Sequence, residues 1–322
     1  MVAAVVRHKP AGLVPFSPFR HLGGVTRLVR LAFGDELGPE ARDILRRMQR
    51  MSRWGGLGLW LWGAAPSMVP GFVWLEDGRV AGNVSLRRAY TRGGWMIGNV
   101  AVHPDLQGQG IGRALMDAAT GLIVQRGGSW AGLEVREDNV AACGLYRGMG
   151  FEVVGHSLEM ARPEGLEWPK IEADMHWLRR ARIADGEAIY RLALEGLSRL
   201  QREALEVRRS TYRTGWEARL SARLEGRRED WWVAEEAGEV VAALCLGGRP
   251  RACYHSLKLL APQERQPEFG PRLLDVGLAS LSRRPRWETV VELAGRREAL
   301  EPILAAAGFR RVRRLAQMRK LL

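Results

Sequence analysis

Lysine is almost missing from this chain. Only Lys9, Lys170, Lys258 and Lys320 occur among 322 residues, so 45 of the 49 basic residues are arginine. Those arginines are spread along both halves, which excludes a single basic tail as the source of the net charge of +13. A field of that sign favours anionic partners such as phosphates or nucleic acid. Arginine usage on solvated helix faces accounts for the spread ahead of a dedicated polyanion groove.

Cysteine is also scarce. Cys143, Cys245 and Cys253 are odd in number, far apart and free of any CxxC or Cys/His cluster. This excludes a disulfide framework and a structural zinc site, and a reducing, cytoplasmic setting fits best. Long apolar runs are absent with one exception. Trp54 to Leu75 carries no charge and has the length of a spanning helix, but Pro66, Pro70 and five glycines interrupt it. Those residues cost more helix stability than an isolated span supplies. It reads instead as a helix end, an apolar loop around Trp60 and Trp62, and a buried strand Gly71–Leu75. The apolar stretch ahead of Arg7 is too short for a signal-peptide core, so neither export nor a membrane partner is expected.

What is present is enough for two cores. At 46% hydrophobic and 26% charged residues the composition is that of a folded globular chain, and its length corresponds to about two domains. Apolar spacing predicts a helix from His21 that breaks at Gly34, and a second helical run over Pro39–Met51. A strand follows, then the turn Glu76-Asp77-Gly78, a strand Arg79–Arg87 and a third run Gly94–His103, a β-rich meander. Further on come a helix Gly110–Gln125, a strand Trp130–Arg136, a helix Val140–Met149 and a strand Phe151–Met160. This α/β order gives a first domain of residues 1–160.

Pro163 and Pro169 mark 161–174 as a linker, and a second domain occupies 175–322. There the pattern recurs: a strand from Trp177, a long helical region Glu187–Leu224, and a hairpin turning at Ala237-Gly238. An irregular loop Pro262–Gly270 precedes a helix Pro271–Leu281, a strand Glu288–Leu293, a helix Arg297–Ala307 and a last strand.

The chemistry concentrates where a strand meets a helix. The run Val102-His103-Pro104-Asp105-Leu106-Gln107-Gly108-Gln109-Gly110-Ile111-Gly112-Arg113 enters its helix through three alternating glycines. Such a turn can aim its first N–H groups at a ligand unobstructed, and the helix dipole adds positive charge there, so a pyrophosphate is the natural occupant. Rossmann and nucleotide-triphosphate loops use the same physics. Here the strand belongs to a hairpin meander and no GK[ST] follows, which weakens both.

This run resembles the acetyl-coenzyme-A-binding motif of the GNAT superfamily of N-acetyltransferases. The downstream stretch Asn139-Val140-Ala141-Ala142-Cys143-Gly144-Leu145-Tyr146-Arg147-Gly148-Met149-Gly150-Phe151 resembles that family's NxxAxxLYxxxGF segment. The resemblance covers the first domain. It implies an enzyme that transfers acetyl from acetyl-coenzyme A to a primary amine by direct attack in a ternary complex, without a metal. By that resemblance Gln107, Gly108, Gln109, Gly110 and Gly112 hold the pyrophosphate, with Arg113 beside them. Val100, Ala101 and Val102 offer backbone to the pantetheine and thioester, Asn139 bonds the pantetheine arm, and Tyr146 protonates the departing thiolate. Glu134 is the implied base, with a role in ordering water or pairing an arginine as the alternative. His103 is expected to cap the strand end, and Cys143 to be buried and inert.

An internal repeat completes the reading. Pro104 and Pro262 stand as far apart as Phe151 and Phe309, and the same spacing matches Gly112 with Gly270, Leu115 with Leu273, Glu134 with Glu292 and Gly150 with Gly308. Two tandem GNAT-like domains follow, each a mixed, mostly antiparallel sheet with helices, as in two-domain acetyltransferases of the mycothiol synthase kind. At the functional positions the copies part: Gly108 matches Gln266, Gln109 Pro267, Gly110 Glu268, Asn139 Arg297 and Tyr146 Leu304. The second copy is therefore expected to be non-catalytic. The other reading of the chain is a coenzyme-A-binding regulatory or nucleic-acid-associated module. The acceptor amine and the oligomeric state carry no readable code.

Overall fold

The computed structural model describes residues 12–34, 70–168 and 174–322, together with positions 38, 39, 42, 43, 45, 46, 48 and 49. Trp60, Trp62, most of the apolar stretch from Trp54, part of the Pro39–Met51 run and the N-terminal eleven residues lie outside the described residues. The chain divides into two compact units. Unit 1 comprises residues 1–134, 141–152 and 318–322; unit 2 comprises 135–140 and 153–317.

Unit 1 begins with β1 (Gly12–Pro15) and α1 (Pro18–Phe33), whose buried positions Leu22, Val25, Leu28 and Val29 follow helical spacing. The meander β2 (Gly71–Glu76), β3 (Arg79–Arg88) and β4 (Gly94–Val102) comes next. Asp77 and Gly78 have φ of 48° and 74°, the left-handed pair that a two-residue hairpin turn requires. Then follow α2 (Ile111–Gln125), β5 (Trp130–Arg136) as far as Glu134, and α3 (Val140–Gly148) from Ala141 onward. Strands run β1-β2-β3-β4-β5, antiparallel except for β4 with β5. Ile111, Leu115, Met116, Ala119 and Ile123 of α2 are buried. Gly82 of β3 admits them: a Cβ there would come within 2.9 Å of Leu115 Cδ1 and 3.1 Å of Ile111 Cγ2.

Unit 2 contains β6 (Glu152–Arg162) from Val153 onward, β7 (Leu178–Arg180), α4 (Gly186–Leu194), α5 (Arg199–Ala204) and α6 (Trp216–Leu224). The hairpin β8 (Arg228–Glu236) and β9 (Glu239–Arg249) turns at Ala237 and Gly238, with φ of 50° and 82°. Then come β10 (Tyr254–Leu260), α7 (Gln266–Leu281), β11 (Glu288–Ala294), α8 (Glu301–Ala306) and β12 (Arg310–Leu321) as far as Gln317. The strand order is β12-β6-β11-β10-β9-β8-β7, with β10 and β11 the parallel pair among the registers described. Leu244, Leu246, Leu257, Phe269, Leu273 and Leu278 build the core on the α7 face. Ile189, Leu192, Trp231, Val233 and Cys245 build the core on the α4 face.

Each unit thus repeats meander, helix, parallel strand, helix. The helix-to-strand turns match bond for bond. Phe151 N–H donates to Tyr146 O and Phe309 N–H to Leu304 O, both at 3.0 Å, while Gly150 and Gly308 have φ of 83° and 86°.

Three expectations need correction. The strand after Phe151 does not close the first domain: β6 residues Ser157–Arg162 pair antiparallel with Ala294–Thr289 of β11. Residues 318–322 return to unit 1, where Leu322 N–H donates to Ser129 O at 3.0 Å. The single helical region Glu187–Leu224 is broken into α4, α5, a short 3-10 turn Arg209–Tyr212 and α6. Gly196 and Gly215 carry φ of 75° and 97° and Glu206 φ of 50°, which no helix interior accommodates. Finally, the stretch read as a loop to Gly270 turns helical at Gln266, because Pro267 occupies a first-turn position that needs no N–H.

Candidate acetyl-transfer site

The site grows from an irregularity in β4. Asn83 of β3 stands opposite Ala101, but Ser85 stands opposite Gly98, so two steps on β3 match three on β4. The extra residue gives a bulge in which Asn99 adopts φ 52°, a region asparagine tolerates. Asn83 is buried, and its Nδ2 donates to Asn99 O at 2.8 Å and to Ser85 Oγ at 3.4 Å. A bulge bends and twists its strand. Parallel pairing with β5 accordingly ends at Met96↔Gly132, and β4 runs on through Val100, Ala101 and Val102 without that partner. Asn83 and Asn99 were missed in the sequence reading; an asparagine inside a β-rich run was the available signal.

Beyond Val102 the chain makes a short 3-10 turn, Pro104–Leu106, whose N-cap His103 accepts from Asp105 N–H at 3.4 Å, as expected of a capping residue. Gln107 Nε2 donates to Val102 O at 3.4 Å, and Gln109 Nε2 to Asp105 O at 3.5 Å. Gly108 and Gly110 have φ of 77° and 81°, and a Cβ on either would meet nothing within 4 Å. The turn is left-handed and open outward. None of the hydrogen bonds described takes up the N–H of Gly108, Gln109, Gly110, Ile111, Gly112 or Arg113; the first engaged donor is Ala114, to Gly110 O at 3.0 Å. No acidic side chain lies in the first turn of α2. Six consecutive donors at a helix N-terminus fit a diphosphate.

Arg113 is exposed, and its Nη2 would lie 3.6 Å from a Cβ on Gly148. Gly112 faces Leu145 Cδ2, 3.4 Å from its would-be Cβ, so α2 and α3 approach closely. On α3, Tyr146 is buried, with its ring edge-on to Phe151 at 6.2 Å. Burial, with a smaller contribution from Cys143, pushes its phenol up to about 12. Cys143 is buried, as expected. Glu134 is exposed on β5, two residues past the last rung shared with β4. The glycine turn, Glu134 and Tyr146 all fall within unit 1. Asn139, by contrast, falls in the 135–140 segment of unit 2, where its N–H donates to Arg136 O at 3.1 Å.

The corresponding places in unit 2 are built differently. The β9–β10 register is continuous, without a bulge. Glu268 stands in the first turn of α7, and Arg265 forks to Glu236 and Glu268 while stacking over Phe269 at 4.3 Å. Gln266 is buried. Arg297 is buried too, its Nη2 donating to Leu192 O at 2.9 Å and Ala193 O at 3.2 Å, and its Nη1 to Ala294 O at 3.2 Å. Lys258 Nζ lies 5.8 Å from the Tyr212 ring, and Leu304 is fully buried. Among the described residues no cluster of three or more His, Cys, Asp or Glu could hold a metal.

Residues 39–151 match the acetyltransferase (GNAT) family. The ribosomal protein bS18-alanine N-acetyltransferase of Escherichia coli K12 is 47% identical over 53 residues, which are 16% of this chain and 36% of that protein. The mycothiol acetyltransferase of Saccharomonospora viridis is 35% identical over 121 residues, 37% of each chain. The chain therefore spans little more than a third of the length of these relatives. Among solved structures, a tandem GNAT protein from the clavulanic acid biosynthesis pathway aligns over 97% of this chain and 98% of its own, with TM-score 0.60 and 17% identity. The fold is the GNAT fold, in a tandem form, and residues 39–151 are similar to the acetyltransferase (GNAT) family.

Proposed function

We propose that unit 1 transfers acetyl from acetyl-coenzyme A to a primary amine by direct attack, and that unit 2 does no acetylation. The observation that carries this reading is the opening of β4 from β5 at Met96, which leads straight to six unengaged N–H groups. The residues present fit the coenzyme: an outward-open left-handed turn, no nearby carboxylate on α2, and a free strand edge.

In this reading the N–H groups of residues 108–113 bind the pyrophosphate, with Gln107 and Gln109 ordering the turn and Arg113 adding charge. The edge of Val100, Ala101 and Val102 binds the pantetheine, and a backbone N–H of that edge stabilises the oxyanion that forms when the amine attacks the thioester carbonyl. Glu134 accepts the proton that the ammonium must lose. When the carbon–sulfur bond breaks, Tyr146 donates its proton to sulfur; the former amine nitrogen gives up its second proton to solvent, solvent returns one to the tyrosine, and the amide product leaves with the acetyl group. The acceptor is a protein N-terminus or a small-molecule amine, the two kinds of acceptor to which the relatives' names point. In unit 2, Glu268 opposes an anion, Arg297 is committed to carbonyls and Leu304 has no proton to give, which supports a structural or acceptor-shaping role.

Tyr146→Phe tests the chemistry. Thiol release from acetyl-coenzyme A should fall by about 10²-fold in kcat with coenzyme affinity unchanged; unchanged turnover would remove the tyrosine from the mechanism.

A further inference from the structure

The helix α6 is mounted with its apolar side outward. Only Ala222 of α6 is buried, and Ala218 beside it is half-buried. Trp216, Leu220 and Leu224, at i, i+4 and i+8, form one stripe on the opposite face, 63%, 51% and 82% exposed. Ile183, 64% exposed, adjoins the start of the helix, since a Cβ on Gly215 would fall 2.4 Å from its Cγ1. Scattered exposed leucines need no explanation, but three large apolar side chains along one short helix, with Ile183 beside its start, form a patch.

Arginine borders that stripe. Arg219 and Arg223 follow it along the helix and Arg213 precedes it; all three are exposed, and none makes an ion pair among the described residues. Glu217 is the acidic residue of α6. Beneath the helix N-terminus lies a cavity of about 20 Å³ lined by Arg213, Arg219, Arg180 and Trp231. Trp231 is a lining residue whose indole N–H is buried without an acceptor. Glu229 and Asp230 also line it, and each is ion-paired with arginine: Glu229 with Arg227, Asp230 with Arg284 at 3.3 Å.

We propose that α6 docks the protein on an anionic phospholipid surface, with Trp216, Leu220, Leu224 and Ile183 entering the interface and Arg213, Arg219 and Arg223 meeting headgroup phosphates. A helix with exposed tryptophan and leucine, edged by arginine and borne on a chain of net charge +13, complements such a surface. No described helix is long and apolar enough to cross a membrane, and docking of this kind needs none.

Co-sedimentation of the full chain with vesicles tests this. Binding should occur to equal parts of phosphatidylcholine and phosphatidylglycerol, not to phosphatidylcholine alone, and should weaken with salt. Trp216→Glu with Leu224→Glu should abolish it while leaving thermal stability and thiol release intact, because these side chains face solvent. Arg219→Glu with Arg223→Glu should lower partitioning by more than about ten-fold, given on the order of five-fold per arginine. Equal binding by the wild type and the Trp216→Glu/Leu224→Glu variant, or equal binding to neutral vesicles, overturns the proposal. So does a dimer in sedimentation velocity, or retention on single-stranded RNA, that the same variant loses while vesicle binding is absent.

Discussion

Tyr146 combines burial with a proton it does not easily lose. Its phenol is raised from about 10 to about 12, so below pH 10 it is protonated in folded and unfolded chains alike and no stability is lost. Between pH 10 and about 12 the unfolded chain ionises first, and unit 1 should lose roughly 3 kcal/mol across that window. Alkaline denaturation of wild type and Tyr146→Phe checks this: the variant should lack that part of the fall, and coincident curves would contradict it. The same protonation keeps a donor available to sulfur through the neutral range. Gly110 is the second single residue on which much depends. Alanine at φ 81° costs about 1–2 kcal/mol and sets a methyl group where an anion would approach. Gly110→Ala should therefore weaken coenzyme A binding by about ten-fold or more with a modest drop in Tm, read by calorimetry and thermal melts. Undiminished affinity would mean that the anion lies elsewhere.

At the scale of elements, the parts of the site that depend on local sequence were legible. The glycine turn, the strand Trp130–Arg136 and the Tyr146 helix follow from periodicity and spacing, and the structure places them within two residues of expectation. The bulge was not legible, because it arises from a buried bond between Asn83 and Asn99, sixteen residues apart. Nor was the break-up of Glu187–Leu224, where single glycines override a run of good helix formers. Strand partnership was least legible of all, since period-2 patterning fixes which face is buried but not which neighbour is paired. The last strand shows the consequence. Met318 is fully buried, Arg319 stacks over Trp130 at 4.7 Å, and Leu322 bonds to Ser129. Deletion of residues 318–322 should destabilise unit 1 by several kcal/mol and weaken coenzyme A binding, although it removes no motif residue. Equilibrium denaturation read through coenzyme affinity checks this; full affinity with unchanged stability would show the strand to be dispensable.

For the whole molecule, length suggested two domains, and the matching turns at Gly150 and Gly308 show one fold used twice. Fold and chemistry are separable in such a pair. The buried positions that hold the turn survive in both units, whereas the exposed donors at the glycine turn stand in one and are replaced by Glu268 and a committed Arg265 in the other. The proposed coenzyme cradle would absorb only part of the charge of +13, and the proposed docking of α6 would use the arginines beside it. The proposed function rests on asymmetry between the units, which isothermal titration of the full chain with coenzyme A reads out. One site per chain, weakened about ten-fold or more in Gly110→Ala and unchanged in Glu268→Gln, is the predicted result; two sites per chain, or a single site unaffected by Gly110→Ala and changed by Glu268→Gln, would contradict it.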